Sequence, residues 1–91
     1  MTELLHEYWE DDGGAQFGPV TQGFDRNFTI LMKNPRLVFA LRASSWRQAL
    51  RLHNDRLGYG DVYWDDRGPD GHYTEEELAE QGAYLAVRPP R

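Results

Sequence analysis

The sequence predicts an α+β domain: a small antiparallel sheet of three to four strands, packed on one face by two helices at about 45–57 and 74–87. Three observations carry this. Two segments have apolar residues at helical spacing, and each opens on a Ser or Thr followed three residues later by Gln or Glu. Ahead of the first helix, β-forming stretches alternate with Asp-Gly and Asn-Pro turn signals. Three Trp, five Tyr and four Phe supply a core without a disulfide or a metal, since each large ring buries roughly 150–250 Å². With 91 residues the chain fits one domain, 1–91, and Pro89-Pro90 makes 88–91 a disordered tail.

Leu4 to Glu10 mixes β-formers and polar residues in near alternation and is read as a strand. Asp11-Asp12-Gly13-Gly14 is a turn, because Asp and Gly tolerate positive φ. Gln16 to Val20 is a short extended return, and Pro19, lacking an amide hydrogen, suits a sheet edge or a loop. Asn27 to Lys33 fits two patterns. Phe28, Ile30 and Met32 alternate as in a strand, while Phe24, Phe28 and Leu31 fall at helical spacing. After the Asn34-Pro35 turn, Arg36 to Ala43 carries apolar residues on both faces, the pattern of a central strand.

Ser45 opens the first helix, with Gln48 placed to complete a capping box. Trp46, Ala49, Leu50, His53 and Leu57 form its apolar stripe, and Gly58 stops it. Val62-Tyr63-Trp64 is a candidate short strand. Thr74 and Glu77 form a second capping box, Glu75 to Glu77 suit the positive end of the helix dipole, and Leu78, Ala79, Ala83, Leu85 and Ala86 make its apolar face.

Charge is segregated along the chain. Residues 1–25 carry a net −6, residues 26–56 a net +6 and residues 57–91 a net −5. The basic middle either neutralises the acidic ends within the fold or forms a polar recognition surface. Cysteine is absent, which excludes disulfides, thiolate zinc sites and Cys nucleophiles and suits a reducing cytoplasm. The first residues are acidic and lack the apolar core of a signal peptide, and Leu37 to Leu41 is the longest apolar run, so the expected location is cytoplasmic.

Asp66 to Glu77 resembles an EF-hand calcium loop. Asp66, Asp70, the His72 carbonyl and Glu77 stand at ligand positions, and Gly71 at the sharp turn. Gly68 offers no oxygen where the third position needs one, Pro69 stiffens the loop, and Leu57 to Asp61 is no entering helix. A Gly-Pro-Asp-Gly turn leading into a capped helix explains the same residues, so no metal and no cofactor is expected. His6, His53 and His72 lack the close spacing of a zinc site, and no carboxylate pair, nucleophile elbow or phosphate loop stands out, so no catalytic residue is assigned. Arg36, Arg42, Arg47 and Arg51 form a basic middle, but an isoelectric point near 5 argues against nucleic acid.

The remaining signal is an acidic–aromatic segment outside any amphipathic period. Tyr59, Asp61, Tyr63, Trp64 and Asp65 combine rings that anchor interfaces with carboxylates that steer a basic protein partner. The expected function is a small non-enzymatic protein-interaction module of accessory, inhibitor or immunity type. The alternatives are calcium or other ligand binding through 66–77, and a small enzyme without a recognisable motif.

Overall fold

The computed structural model describes residues 2–31, 33–58 and 72–88. Its elements are β1 (Leu4–Glu10), β2 (Ala15–Pro19), α1 (Gln22–Leu31), β3 (Arg36–Ala43), α2 (Trp46–Leu57) and α3 (Glu75–Val87). The three strands form an antiparallel sheet in the order β2-β1-β3. The α+β class is therefore as the sequence predicts, with α1 as a third helix formed from the stretch that fits two patterns. Thr21 starts α1 by accepting the Phe24 amide on its hydroxyl at 3.0 Å. The candidate strand 62–64 lies outside the described residues.

The β1–β2 hairpin turns through Asp11 to Gly14, where the Asp11 amide donates to the Gly14 carbonyl at 2.9 Å and the Asp11 carboxylate accepts the Gly13 amide at 2.9 Å. The same carboxylate accepts the Lys33 amide at 2.9 Å, and Asp12 lies 3.6 Å from the Arg36 guanidinium. The acidic hairpin tip thus binds the start of β3. Asn34 takes the left-handed conformation there, with φ of 51°, as its short polar side chain permits.

Register assigns the side chains to faces. His6 and Tyr8 of β1 share a face with Phe17, Phe39 and Leu41, their partners or near neighbours across the sheet. This face lies under α2. The His6 ring stacks on Phe17 and Trp46, and the His53 ring meets Tyr8, Phe17 and Phe39. Ala49 is fully buried beneath them, and Gly58 caps α2 with a φ of 77° that a side chain would oppose. Ser45 accepts the Gln48 amide as expected, but Gln48 reaches back to Ser44, not Ser45, accepting from its amide at 2.6 Å.

Leu5, Glu7 and Trp9 point to the opposite face, and this face meets α1 and α3. Trp9 packs with Phe24, and the Phe24 ring lies close over Gly18, where a Cβ would stand 3.4 Å from it, in contact. The two expected helices therefore take opposite sides of the sheet, not one. The reason is how α3 docks. Its Ala79, Ala83 and Ala86 are exposed, and the one buried residue is Gln81. Gln81 accepts the Leu5 amide at 2.8 Å and donates to the Leu5 and Val20 carbonyls at 2.9 and 3.1 Å. It satisfies the central strand where β2 runs out, as a further strand residue would. Leu78, Gln81, Tyr84, Leu85 and Arg88 form the docking stripe in place of the predicted alanines.

A second departure concerns β3. Its apolar residues on both faces fit a central strand, yet β1 is central and β3 is an edge among the described residues. Buried Phe39 and Ala43 serve the α2 face, while Leu37 and Val38 are 49% and 45% exposed.

Candidate partner-binding site

Three places could carry function: a buried ionic cluster, a buried histidine and the outer edge of β3. The predicted patch of Tyr59, Asp61, Tyr63, Trp64 and Asp65 lies outside the described residues.

In the ionic cluster, Arg88 of α3 bridges Glu7 of β1 and Asp25 of α1. Its guanidinium donates to both Glu7 oxygens at 3.0 and 2.7 Å and to both Asp25 oxygens at 2.8 and 2.9 Å. The Tyr84 hydroxyl adds a donor to Asp25, and the Trp9 indole donates to Glu7 at 2.9 Å. Burial alone pushes the Glu7 carboxyl up, but hydrogen bonds from Arg88 and Trp9, with the charge of Arg88, hold it below its ordinary value. The hydrogen bonds that Arg88 donates to Glu7, against the cost of burial, raise the Arg88 pKa. Glu7 is thus held in its ionised form, and both carboxylates are engaged by Arg88. Arg88, placed by the sequence at the start of a tail, is anchored here, and 89–91 lie outside the described residues.

His6 is fully buried. Its Nδ1 faces the Leu4 carbonyl at 3.0 Å, which only accepts, so Nδ1 carries the proton and Nε2 accepts from the Tyr73 hydroxyl at 2.8 Å. Burial lowers the His6 pKa to about 4, and burial with the nearby charge of Glu77 raises Tyr73 to about 12. A neutral imidazole on a fully protonated phenol makes a fixed strut, with neither group poised to exchange a proton near pH 7. Among the described residues, no group of three or more His, Cys, Asp or Glu side chains is placed to hold a metal ion. Glu77, the twelfth position of the calcium-loop resemblance, accepts the Thr74 amide at 2.9 Å in the predicted capping box.

The edge of β3 is built differently. Because the Leu5 carbonyl accepts the Val20 amide, the odd residues of β1 pair towards β2 and the even ones towards β3. Phe39, Leu41 and Ala43 then pair inward, and the N–H and C=O groups of Ala40 and Arg42 point away from the sheet. The register shifts between Tyr8 and Trp9, leaving Val38 as the extra residue of a bulge. That bulge turns Leu37 and Val38 outward together. Arg36 and Arg42 flank this exposed stretch, and the Arg56 guanidinium sits over the Phe39 ring at 5.0 Å. The opposite edge, β2, differs. It has five residues, ends in Pro19, and borders an open groove of about 540 Å³ lined by Phe17, Phe24, Trp46 and Tyr73. Proline at its end denies a neighbour one amide rung, a common protection of edges.

The sequence pattern missed the β3 edge because apolar residues on both faces also describe a central strand. The signal that marks it is the arginine at each end, since charge at strand ends suits an edge. No helix among the described residues is long and apolar enough to cross a membrane. No family model, curated protein or solved structure matches the chain.

Proposed function

We propose that the chain is a non-enzymatic protein-interaction module that takes an extended segment of a partner protein onto the outer edge of β3. One observation carries this: β3, an eight-residue strand that is an edge among the described residues, has outward backbone groups beside exposed Leu37 and Val38. Backbone rungs give such a complex its affinity, and the side-chain neighbours give it selectivity. The buried titratable groups favour the same reading over an enzyme, because each is engaged inside the fold. The acidic–aromatic segment with Tyr59, Asp61, Tyr63, Trp64 and Asp65 belongs to the proposal as a second surface, suited to a basic partner and to a location in the cytoplasm.

Selection of random extended peptides against the folded protein tests the reading. Enriched peptides are expected to shift the amide resonances of Ala40 and Arg42 and to lose binding when Ala40→Pro removes a rung. Enriched peptides that map elsewhere, or no enrichment, would overturn it. At the second surface, Tyr63→Ala and Trp64→Ala are expected to weaken capture of a basic protein and leave the melting temperature nearly unchanged.

A further inference from the structure

We infer that the segment received by β3 is acidic: an extended stretch with an apolar centre and a carboxylate towards each end. This rests on the strand-addition reading and adds the chemistry of the occupant. β3 itself reads Arg-Leu-Val-Phe-Ala-Leu-Arg-Ala and contains no acid. Arg36 marks one end, Arg42 the other, and Arg56 leans over Phe39 from α2. Beside this edge Asp12 meets Arg36 in an exposed pair at 3.6 Å and offsets it only in part, and Glu10, opposite Arg36 in the register, accepts the Tyr8 hydroxyl at 3.0 Å.

Geometry sets the spacing. Arg42 lies opposite Leu5 and points to the α1–α3 face, whereas Arg36 lies opposite Glu10 and points to the α2 face, on the side of Arg56. The bulge at Val38 produces this switch of face. A regular strand laid alongside therefore places its two carboxylates on opposite faces, five or so residues apart, about 17 Å at roughly 3.3 Å per residue. Between them an apolar side chain covers Leu37 and Val38.

Charge also decides against other occupants. A second copy of this chain pairing β3 to β3 would gather Arg36, Arg42 and Arg56 from both copies on one joint with no acid from either strand, and like charges across strands oppose pairing. A nucleic acid would satisfy the arginines but supplies no backbone rungs for Ala40 and Arg42 and no use for Leu37 and Val38.

The test uses the intact protein and labelled nine-residue peptides with an apolar centre and Glu, Gln or Lys at two positions five residues apart, one on each side of that centre. The Glu peptide is expected to bind at least about tenfold more tightly than the Gln peptide, with the gap closing as salt rises, and the Lys peptide not at all. Arg42→Glu, at an exposed side chain, is expected to invert the order of the Glu and Lys peptides. N-methylation of the Glu peptide at its rung amides, which leaves the protein untouched, is expected to abolish binding. Equal binding of the Glu and Gln peptides with N-methyl sensitivity retained would overturn the acidic occupant and leave strand addition standing. Binding that ignores N-methylation and Ala40→Pro would overturn both. Displacement of the Glu peptide by a short single-stranded oligonucleotide at equal charge would assign the edge to phosphates instead.

Discussion

The two faces of the sheet are closed by opposite chemistry. Under α2 the contact is almost all rings: His6, Tyr8, Phe17, Phe39, Trp46 and His53 stack or tilt against one another, and polar atoms take part mainly at the helix ends. Under α3 the contact is made by Gln81, Tyr84 and Arg88, which bind backbone groups of Leu5 and Val20 and the carboxylates of Glu7 and Asp25. Rings stabilise by area and tolerate small shifts. Buried polar groups stabilise little in net terms, but each costs heavily if left without its partner. The α2 face should therefore supply most of the stability, and the α3 face should decide whether one arrangement is unique.

The largest expected effect is on the ionic side. Arg88→Met leaves two carboxylates buried without a counter-charge, and breaking such a pair typically costs about 3–5 kcal/mol. Urea unfolding should show this loss, and the triple variant Glu7→Gln, Asp25→Asn, Arg88→Met should recover most of it. A single-variant loss below about 1 kcal/mol would mean the cluster is solvated and the contrast between the faces is wrong. On the ring side, Phe17 touches His6, Tyr8, Phe39, Trp46 and His53, so Phe17→Ala is expected to cost about 3 kcal/mol, with no isosteric partner change able to restore it.

Acid separates the faces by pH. The folded His6 pKa of about 4 lies below the ordinary 6.5, so folding favours the neutral ring. The stability this brings is complete above pH 6.5 and is lost as the pH falls towards 4, by about 2–3 kcal/mol. Glu7, also depressed, keeps its contribution above its ordinary value of 4.5 and loses it only as the pH falls through its lower folded value. Denaturation curves at pH 7, 5 and 3.5 should thus show the ring face weakening first. His6→Gln should flatten the first step, and Glu7→Gln the second. A next smaller effect tests the strand mimicry of α3. Gln81→Ala strips partners from the Leu5 amide and carbonyl and should cost about 2 kcal/mol, whereas Ala83→Ser, at an exposed site, should cost almost nothing.

The same contrast explains what could be read from the sequence. The α2 face was legible because rings and alanine at helical spacing leave a periodic trace, and Trp46, Ala49 and His53 do lie where that trace puts them. The α3 stripe was not, because Gln81, Tyr84 and Arg88 look like a solvated face until Leu5, Glu7 and Asp25 come within reach, some sixty to eighty residues away in sequence. The charge pattern was legible only in part. Asp12 does meet Arg36, in an exposed pair, but the strongest ion pairs join Arg88 to acids of the first 25 residues and leave Arg42 to the outer edge. That β3 is an edge among the described residues follows from its pairing with β1 alone there, which no local pattern in either strand announces, and the bulge at Val38 is equally silent.

The smallest expected effect concerns the start of α3, where two accounts of Glu77 compete. In the fold it closes a capping box, accepting from the Thr74 amide and hydroxyl while the Thr74 hydroxyl accepts the Glu77 amide at 3.1 Å. A glutamine oxygen can accept the same bonds, so Glu77→Gln should change stability by only a few tenths of a kcal/mol, most of it from losing an anion at the positive end of the helix dipole. Thr74→Ala removes the whole box and should cost about 1 kcal/mol. If Glu77 were instead the bidentate ligand of a calcium loop, the ranking would change with the metal. Calcium at millimolar concentration would raise the melting temperature of the native protein and not of Glu77→Gln, because the amide lacks the charge and the second oxygen. We expect no rise in either protein, since Gly68 supplies no ligand at the third position. Thermal melts of the two proteins with calcium and with chelator decide it. A rise confined to the native protein would make the α3 start a metal-dependent hinge, and the polar face of the sheet would then owe part of its order to an ion.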